Sequence, residues 1–286
     1  MNGYEKDKIN EQRELAVYKR DDMVQQARYK LSIQEQRAIL YAISKIKPDD
    51  TAFEEYEFDI KDFYALCGIE KDTYTTLKDM LGKLSDKGWW LRDKATGSES
   101  RVRWFNKVVL NKKSGIVKLK FHEDMMPYLL QLVEQGEFYT SYSLKYVLPM
   151  SSKHSPRLYE LLKSYQKNNR GWYFEINQLK RLMDCENYTN YKDFRVRVLT
   201  PAIEEINKYT DICVAYDEQR SGRKVTHITF YLDEKTDIEK FNIDLQLQLE
   251  LDGQLDIERI RDENRKSNKS AFIKERMAAK KEAKGE

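Results

Sequence analysis

The sequence has few of the residues that hold metal ions or form disulfide bonds. Its 286 residues include three cysteines and three histidines, all far apart, and neither a Cys-x-x-Cys nor a His-x-His pair occurs. Widely spaced cysteines in odd number predict neither a zinc site nor a disulfide framework. They favour a reducing, intracellular location, so a cytoplasmic protein without a metal or other cofactor is expected.

Long apolar runs are also missing. No stretch approaches 18 apolar residues, so no membrane span is expected, and the polar N-terminus lacks the apolar core of a secretory signal. The sequence contains no GxxxxGK[ST] phosphate-binding loop and no metal-holding histidine pair beside a nucleophilic tyrosine. We therefore expect a protein that is not an enzyme and that neither hydrolyses ATP nor cuts a nucleic-acid strand.

A duplicated pattern is the most informative feature that is present. Phe58-Asp59-Ile60 in the first half and Phe174-Glu175-Ile176 in the second share the pattern Phe-acid-Ile-x-x-apolar. Each is strand-like, and each is followed by an amphipathic helical segment and then by a β-hairpin pattern. This order resembles a winged helix, a fold used mostly to hold nucleic acid. The predicted fold class is therefore α+β, with two tandem winged-helix domains.

The pattern divides the chain into five parts. The segment before the first domain is charged and weakly patterned, and the segment after the second is a charged tail, expected to be a solvated helix or disordered. Ser155 is predicted to cap the first helix of the second domain, with Pro156 at its first position. The predicted parts are an N-terminal arm (1–28), a first winged-helix domain (29–135), a linking segment (136–154), a second winged-helix domain (155–233) and the tail (234–286).

One helix of the second domain is the best candidate for nucleic-acid recognition. Asn190 is a good N-cap, and an apolar stripe with helical spacing follows it. Pro201 lies inside this stripe, and because the stripe keeps its phase across the proline, a kink is expected rather than a break. The stripe consists of Phe194, Val198, Ala202, Ile206 and Tyr209.

Basic residues of this helix and of the hairpin turn after it are candidate DNA-binding residues. Arg197 faces outward, whereas ideal helical phase puts Arg195 near the buried face. Asn190 and Lys192 lie in the first turn, the part of a recognition helix that usually reaches base edges. The alternative is an ordinary amphipathic helix with solvated charges, which Glu204 and Glu205 favour for its second half. The turn adds Arg220, Arg223 and Lys224.

A second basic segment lies in the first domain, between residues 101 and 120. It has seven basic residues and no acidic one, and strand alternation puts several on one face of a predicted hairpin. Such a face would attract phosphates; alternatively, it is a charged sheet edge that prevents aggregation. The helix before it carries Asp79 and Asp86, so the hairpin is expected to make most of this domain's contacts. The candidate DNA-binding residues are Arg101, Arg103, Lys107, Lys112 and Lys113; the other two basic residues of the segment are Lys118 and Lys120.

Three tryptophans lie close together in the sequence. Trp89, Trp90 and Trp104 could stack on the bases of a single strand. Because they alternate with polar residues, packing in the core is the favoured interpretation.

Three parts of the sequence resemble iteron-plasmid replication initiators (Rep proteins), and the resemblance covers about residues 15–232. The helix and wing of the second domain are its most specific part. The matching residues are Leu31-Ser32-x-x-Glu35-Gln36-Arg37; Arg157-Leu158-Tyr159-Glu160-Leu161-Leu162; and Tyr191-x-x-Phe194-Arg195-x-Arg197-Val198-Leu199-x-Pro201-Ala202-Ile203-x-Glu205-Ile206-Asn207 with Thr210-Asp211-Ile212, Gly222-Arg223-Lys224-Val225 and Ile228-x-Phe230.

The resemblance implies a non-enzymatic initiator that binds directly repeated origin sites in double-stranded DNA. Monomers of such proteins bind the repeats, and dimers, formed through the first domain, often repress their own gene. The helix around Lys192, Arg195 and Arg197 would read bases, and Arg223 and Lys224 would contact the backbone. A host helicase or initiator protein would be the recruited partner. Two alternatives remain open: a transcription regulator with tandem winged helices that starts no replication, and a scaffold that binds proteins.

Overall fold

The computed structural model describes residues 11, 14–47, 50–67, 74–92, 96–132, 138–166 and 172–252. Residues 1–10, 12 and 13 of the predicted N-terminal arm lie outside the described residues, and so does the predicted tail after residue 252. No helix within the described ranges is long and apolar enough to cross a membrane.

The first half of the chain contains seven strands and five helices. It begins with β1 (Ala16–Arg20), α1 (Asp21–Gln26) and α2 (Ile33–Ile43), followed by β2 (Tyr56–Asp59), α3 (Ile60–Cys67) and α4 (Tyr74–Asp86). Strands β3 (Gly88–Arg92), β4 (Glu99–Arg103), β5 (Phe105–Asn111) and β6 (Ile116–Phe121) come next. Short α5 (Met126–Leu129) and β7 (Tyr139–Ser143) complete it. These counts apply to the described ranges only.

The second half has the same order of elements with fewer additions. It consists of α6 (Ser155–Tyr165), β8 (Trp172–Glu175), α7 (Ile176–Leu182), α8 (Tyr191–Phe194), a π-helical turn (Arg195–Leu199), α9 (Thr200–Tyr209), β9 (Ile212–Ser221) and β10 (Lys224–Glu234). The last element within the described residues is α10 (Asp237–Asp252).

The predicted duplication is present in the sheets. The first has the strand order β2-β6-β5 and the second β8-β10-β9, so in each domain the strand before the helices pairs with the last strand of the hairpin. Phe58 pairs in register with Val117, and Phe174 with Ile228. All four side chains are buried, which explains why the repeated pattern requires an apolar residue there. The two winged-helix domains are thus confirmed.

Helix α2 begins with a capping box formed by Ser32 and Glu35. Ser32 accepts a hydrogen bond from the Glu35 backbone N–H, and the Glu35 carboxylate accepts one from the Ser32 N–H. This reciprocal capping box satisfies two amides that would otherwise lack partners at the start of the helix.

The segment predicted to be an N-terminal arm is part of the fold from residue 16 onward. Strand β1 pairs antiparallel with β7, which lies in the predicted linking segment. Val17, Met23 and Val24 are buried. The partner strand is more than a hundred residues away along the chain, so local patterning could not indicate the pairing.

The two domains share one continuous cluster of buried apolar side chains. Helix α6 lies at their junction, where Arg157 donates to the backbone oxygens of Leu182 at 3.0 Å and Ala27 at 2.8 Å. The prediction that Ser155 caps this helix is wrong. Its hydroxyl is buried and has no hydrogen-bond partner among the described residues, and the N-cap position is His154. Pro156 lies in the first turn, at the second helical position and not at the first as predicted.

The beginning of the predicted tail is a helix packed on the protein. Thr236 and Glu239 form a capping box at the start of α10, with the Thr236 N–H to Glu239 carboxylate distance at 2.8 Å. Ile243 and Leu247, one turn apart, are buried. Up to residue 252 the tail is therefore neither disordered nor solvated on all sides.

Candidate nucleic-acid interface

The candidate recognition helix starts where the sequence places it. The Asn190 side-chain oxygen accepts the Asp193 N–H at 2.8 Å, and its amide nitrogen donates to the Asp193 carboxylate at 2.5 Å. Both polar atoms of the Asn190 side chain are thus hydrogen-bonded to Asp193. In the free protein this side chain therefore caps the helix. The helical segment then runs without interruption from 191 to 209.

The structure accommodates Pro201 through a wide turn. Over Arg195–Leu199 the helix is of π type, and the Thr200 N–H donates to the Arg195 oxygen, five residues earlier. Proline cannot donate to the oxygen four residues before it, and its ring crowds that oxygen, so one wider turn relieves both problems. The predicted stripe is kept: Phe194, Val198, Ala202 and Ile206 are fully buried.

Two basic residues of this helix face solvent. Lys192 and Arg197 are exposed, as is the neighbouring Val196 at 55%. Neither forms a salt bridge with any described residue. Their cationic groups are therefore available to a ligand, and the exposure of Arg197 agrees with its predicted outward phase.

Arg195 lies at the border between the helix and the wing. Its guanidinium is 3.4 Å from the carboxylate of Glu218 on β9, and its side chain is 43% exposed. Arg220, two residues further along β9, is 2.6 Å from the other oxygen of the same carboxylate. The structure thus brings together two predicted DNA-binding arginines through an acidic residue that the sequence analysis did not select.

Glu218 also ties the start of the helix to the wing. The Tyr191 hydroxyl donates to its carboxylate at 2.8 Å. Burial alone would raise the pKa of Glu218, but the hydrogen bonds from Tyr191 and Arg220 and the charges of both arginines outweigh burial and lower it. Conversely, burial and this carboxylate raise the pKa of Tyr191. Glu218 is therefore an ionised, largely buried group.

Strand alternation could have identified this position. Glu218 pairs in register with Ile228, and Tyr216 with Phe230, so the glutamate lies on the core-facing side of β9. An acidic residue in the apolar register of a strand requires a partner. The signal in the sequence is therefore the spacing of Glu218 from Tyr216: residues two positions apart in a strand lie on the same face.

The hairpin of β9 and β10, which is the wing of the second domain, ends in a tight, basic turn. Gly222 has a positive φ of 59°, a conformation that suits glycine at such a turn. Arg223 and Lys224, beside it, are exposed. The wing is held to the helix by Asn207, whose side chain exchanges two hydrogen bonds with the Val214 backbone, at 2.6 and 2.9 Å.

The basic face predicted in the first domain is largely neutralised. Lys107 forms an ion pair with Glu55 at 2.7 Å, and Lys118 pairs with Glu57, which lies directly opposite it on β2. Hydrogen bonding and attraction to Lys107 lower the pKa of Glu55. The segment 101–120 lacks acidic residues, but β2 and the residue before it bring Glu57 and Glu55 beside it from 61 and 52 residues earlier in the chain. The hairpin face is therefore less positive than the sequence predicts, because Glu55 and Glu57 offset Lys107 and Lys118.

Arg101 and Arg103 lie in a different sheet from Lys107. The predicted strand 101–110 is broken at Trp104, and β4 pairs with β3, whereas β5 pairs with β6. Both arginines are exposed, and Arg101 donates to the Asp86 backbone oxygen at 3.0 Å. The shared parity of the three residues consequently does not place them on one surface.

The hairpin of β5 and β6, which is the wing of the first domain, keeps one further basic feature at its turn. Lys112 and Lys113 are exposed; the Lys112 ammonium lies 5.6 Å from the centre of the Tyr74 ring, and Asn111 accepts the Lys113 N–H at 3.0 Å. Gly115 closes the turn with a φ of 69°. Both wings thus end in a glycine-containing turn with two exposed basic side chains.

Two of the three tryptophans belong to the core. Trp89 and Trp104 are buried with ring centres 6.1 Å apart, whereas Trp90 is 46% exposed. Base stacking by the first two is excluded in this fold.

Comparison with known proteins yields a consistent group of matches. Residues 16–163 match a family model described as "Initiator Replication protein, WH1", and residues 175–232 match "Initiator Rep protein, WH2". An Escherichia coli "Replication initiation protein" is 25% identical over 254 residues, covering 85% of this chain and 72% of the relative. An Escherichia coli "PI protein" is 28% identical over 144 residues, covering 45% and 46% of the two chains.

A solved structure shares the fold. It is described as "Crystal structure of Pi initiator protein in complex with iteron DNA", and it aligns with a TM-score of 0.64 at 20% identity, covering 79% of this chain and 99% of the other. At this identity the alignment shows the arrangement of the two domains and not the role of any residue.

Proposed function

Because the chain belongs to the family of initiator replication proteins, we propose that it starts plasmid replication by binding directly repeated sites in double-stranded origin DNA. The observation that carries the proposal is the set of exposed basic side chains in the second domain. Its helix has two exposed cations, Lys192 and Arg197, that pair with no acidic side chain among the described residues, and its wing has two more, Arg223 and Lys224, at the tip. A helix fits the major groove, and a basic wing can hold the adjacent phosphates.

The proposed roles differ from residue to residue. Arg197 and Lys192 would reach base edges, Arg195 and Arg220 would be positioned beside them, and Arg223 would contact phosphate. Lys224, Lys112 and Lys113 would contact phosphate in the same way. Arg101 and Arg103 add positive charge on a separate sheet, and Lys107 contributes less because Glu55 neutralises it.

The proposal extends to assembly and partners. The similar Pi initiator protein was solved in complex with iteron DNA, which supports recognition of repeated sites here. Monomers would bind the repeats in equilibrium with a homodimer, and bound monomers would recruit host helicase or initiator proteins. Repression of the chain's own gene by the dimer is a further part of the proposal.

Footprinting of the full chain on DNA that flanks its own coding sequence tests the proposal. Several protected sites in direct repeat, spaced near multiples of the helical repeat, are the expected result. A single palindromic site would instead identify a transcription regulator. Binding that is insensitive to salt, or no binding at all, would point to a protein scaffold, because phosphate neutralisation makes affinity fall steeply with salt.

A further inference from the structure

Glu218 is an acidic residue within a surface that the proposed function requires to be positive. Its side chain is 14% exposed and lies between Arg195 and Arg220. A carboxylate so close to DNA phosphates weakens binding through repulsion. The same fold could hold Tyr191 with a neutral acceptor, so the negative charge calls for a separate explanation.

Geometry supplies one part of the explanation. The carboxylate uses one oxygen for the Tyr191 hydroxyl and Arg195, and the other for Arg220. Since Tyr191 is in the first turn of the helix and Glu218 is on the wing strand, the two arginines are held relative to both elements. An arginine already held in its binding direction loses less conformational freedom when it donates two hydrogen bonds to a base or phosphate.

Charge supplies the other part. One carboxylate offsets one of the two guanidinium charges, so the pair is less attractive to any phosphate backbone. Random DNA offers little beyond that backbone, whereas the correct site also offers acceptors at fixed positions. Lowering the general attraction while keeping the directed contacts increases the difference between correct and incorrect sites.

We propose that Glu218 is a specificity-determining positioning residue, which directs Arg195 and Arg220 toward acceptors of the correct DNA site and reduces their attraction to all other DNA. This inference rests on the proposed function, because it requires that the helix 191–209 and the second wing face DNA.

The test compares three variants of the full chain on two duplexes over a range of salt concentrations. One duplex carries the repeats found by footprinting, and the other has the same length and a random sequence. Glu218→Gln removes the charge with little change in shape. Glu204→Gln removes a charge from an exposed position on the same helix, outside the cluster, and is the matched control. Glu218→Asp keeps the charge and shortens the side chain.

The expected results differ in direction between the variants. Glu218→Gln should bind random DNA about two- to fivefold more tightly, with a salt slope steeper by roughly 1, because one more cation reaches phosphate. Its preference for the repeats should fall about tenfold. Glu204→Gln should keep the wild-type preference. Glu218→Asp should keep the wild-type salt slope and lose part of the preference.

The outcomes separate this inference from the proposed function. If the wild-type chain does not prefer the repeats, the proposed function fails. If the wild-type chain prefers them and Glu218→Gln keeps that preference within about twofold of Glu204→Gln, only the role of Glu218 is overturned. Should Glu218→Gln fail to fold, Glu218→Asp decides: an undiminished preference overturns the role, and a reduced one at unchanged salt slope supports it.

Discussion

Lys19 and Glu160 form an ion pair in the interior of the protein, between strand β1 and helix α6. Both side chains are almost completely buried, and the Tyr142 hydroxyl donates to the same carboxylate. Burial lowers the pKa of Lys19, although attraction to Glu160 opposes that effect. The pair therefore joins the N-terminal strand to the helix that begins the second domain.

Breaking this pair from one side should destabilise the protein severely. We expect Glu160→Gln to reduce the free energy of unfolding by roughly 3–5 kcal/mol, because it leaves the Lys19 charge buried without its partner. The double variant Lys19→Met with Glu160→Gln should recover a large part of the loss, since no isolated charge remains. Denaturant titration of the two variants and the wild type gives the comparison; equal losses in single and double variants would contradict it.

Acid should destabilise the fold through His154. Burial, followed by the nearby charge of Lys153, lowers the pKa of His154 to about 4. An unfolded histidine titrates near 6.5, so between these values the unfolded state binds more protons. The free energy of unfolding should therefore fall as pH decreases from about 6.5 to 4, by roughly 3 kcal/mol in total.

Variants at two histidines distinguish this effect from general acid unfolding. His154→Asn should be less stable at pH 7 and should show a flatter pH dependence between 6.5 and 4. His122→Asn, at a partly exposed position, should keep the wild-type slope. Unfolding free energies measured at several pH values decide the matter, and identical slopes for all three proteins would rule out His154 as the cause.

Arg197 should carry sequence preference. We expect Arg197→Ala to weaken binding to the repeats by roughly 1–3 kcal/mol and largely to spare random DNA, because an exposed arginine on the recognition helix can donate two hydrogen bonds to guanine. Arg197→Lys keeps the charge without the paired geometry and should also lose preference. Affinities for both duplexes test this; an equal loss on random DNA would argue for a phosphate contact instead.

The basic residues of the first wing should differ in their contribution to salt dependence. Replacing Lys112 and Lys113 by alanine should flatten the slope on random DNA by about 2, since each exposed lysine accounts for about 0.9. Lys107→Ala should change the slope much less, because Glu55 already pairs with it. The measurement is affinity against salt concentration for both variants. If Lys107→Ala changed the salt slope as much as each of the other two lysines does, the ion pair between Lys107 and Glu55 would have to break when DNA binds.

Local patterns were sufficient for the repeated core of the fold. The structure confirms the Phe-acid-Ile pattern and the Asn190 cap, each of which depends on residues within a few positions of one another, and the Ser32 capping box is equally local. Strand alternation likewise places Ile228 and Phe230, two residues apart, on one buried face. Short-range spacing carries this information because helix and strand periodicities are local properties.

Distant pairing accounts for what the sequence could not show. Strand β1 is recognisable only by its partner β7, and the cations near residue 107 look unopposed until Glu55 and Glu57 are brought beside them. Glu218 is similar, since its role depends on the start of a helix 27 positions earlier. The functions of the candidate DNA-binding residues remain predictions.

The π-helical turn over Arg195–Leu199 has a consequence for how this helix can change. A π-helical turn contains one residue more than an α-helical turn. Compared with an uninterrupted α-helix, the side chains after the turn are therefore rotated by about 100° relative to those before it. The turn keeps Phe194, which precedes it, on the same buried face as Ala202 and Ile206, which follow it, while Val196 and Arg197 face solvent. If the helix reads DNA as proposed, substitutions at the exposed positions Lys192, Val196 and Arg197 should alter target choice while the packing of Phe194, Ala202 and Ile206 stays fixed, so that related chains acquire new origins without rebuilding their interiors.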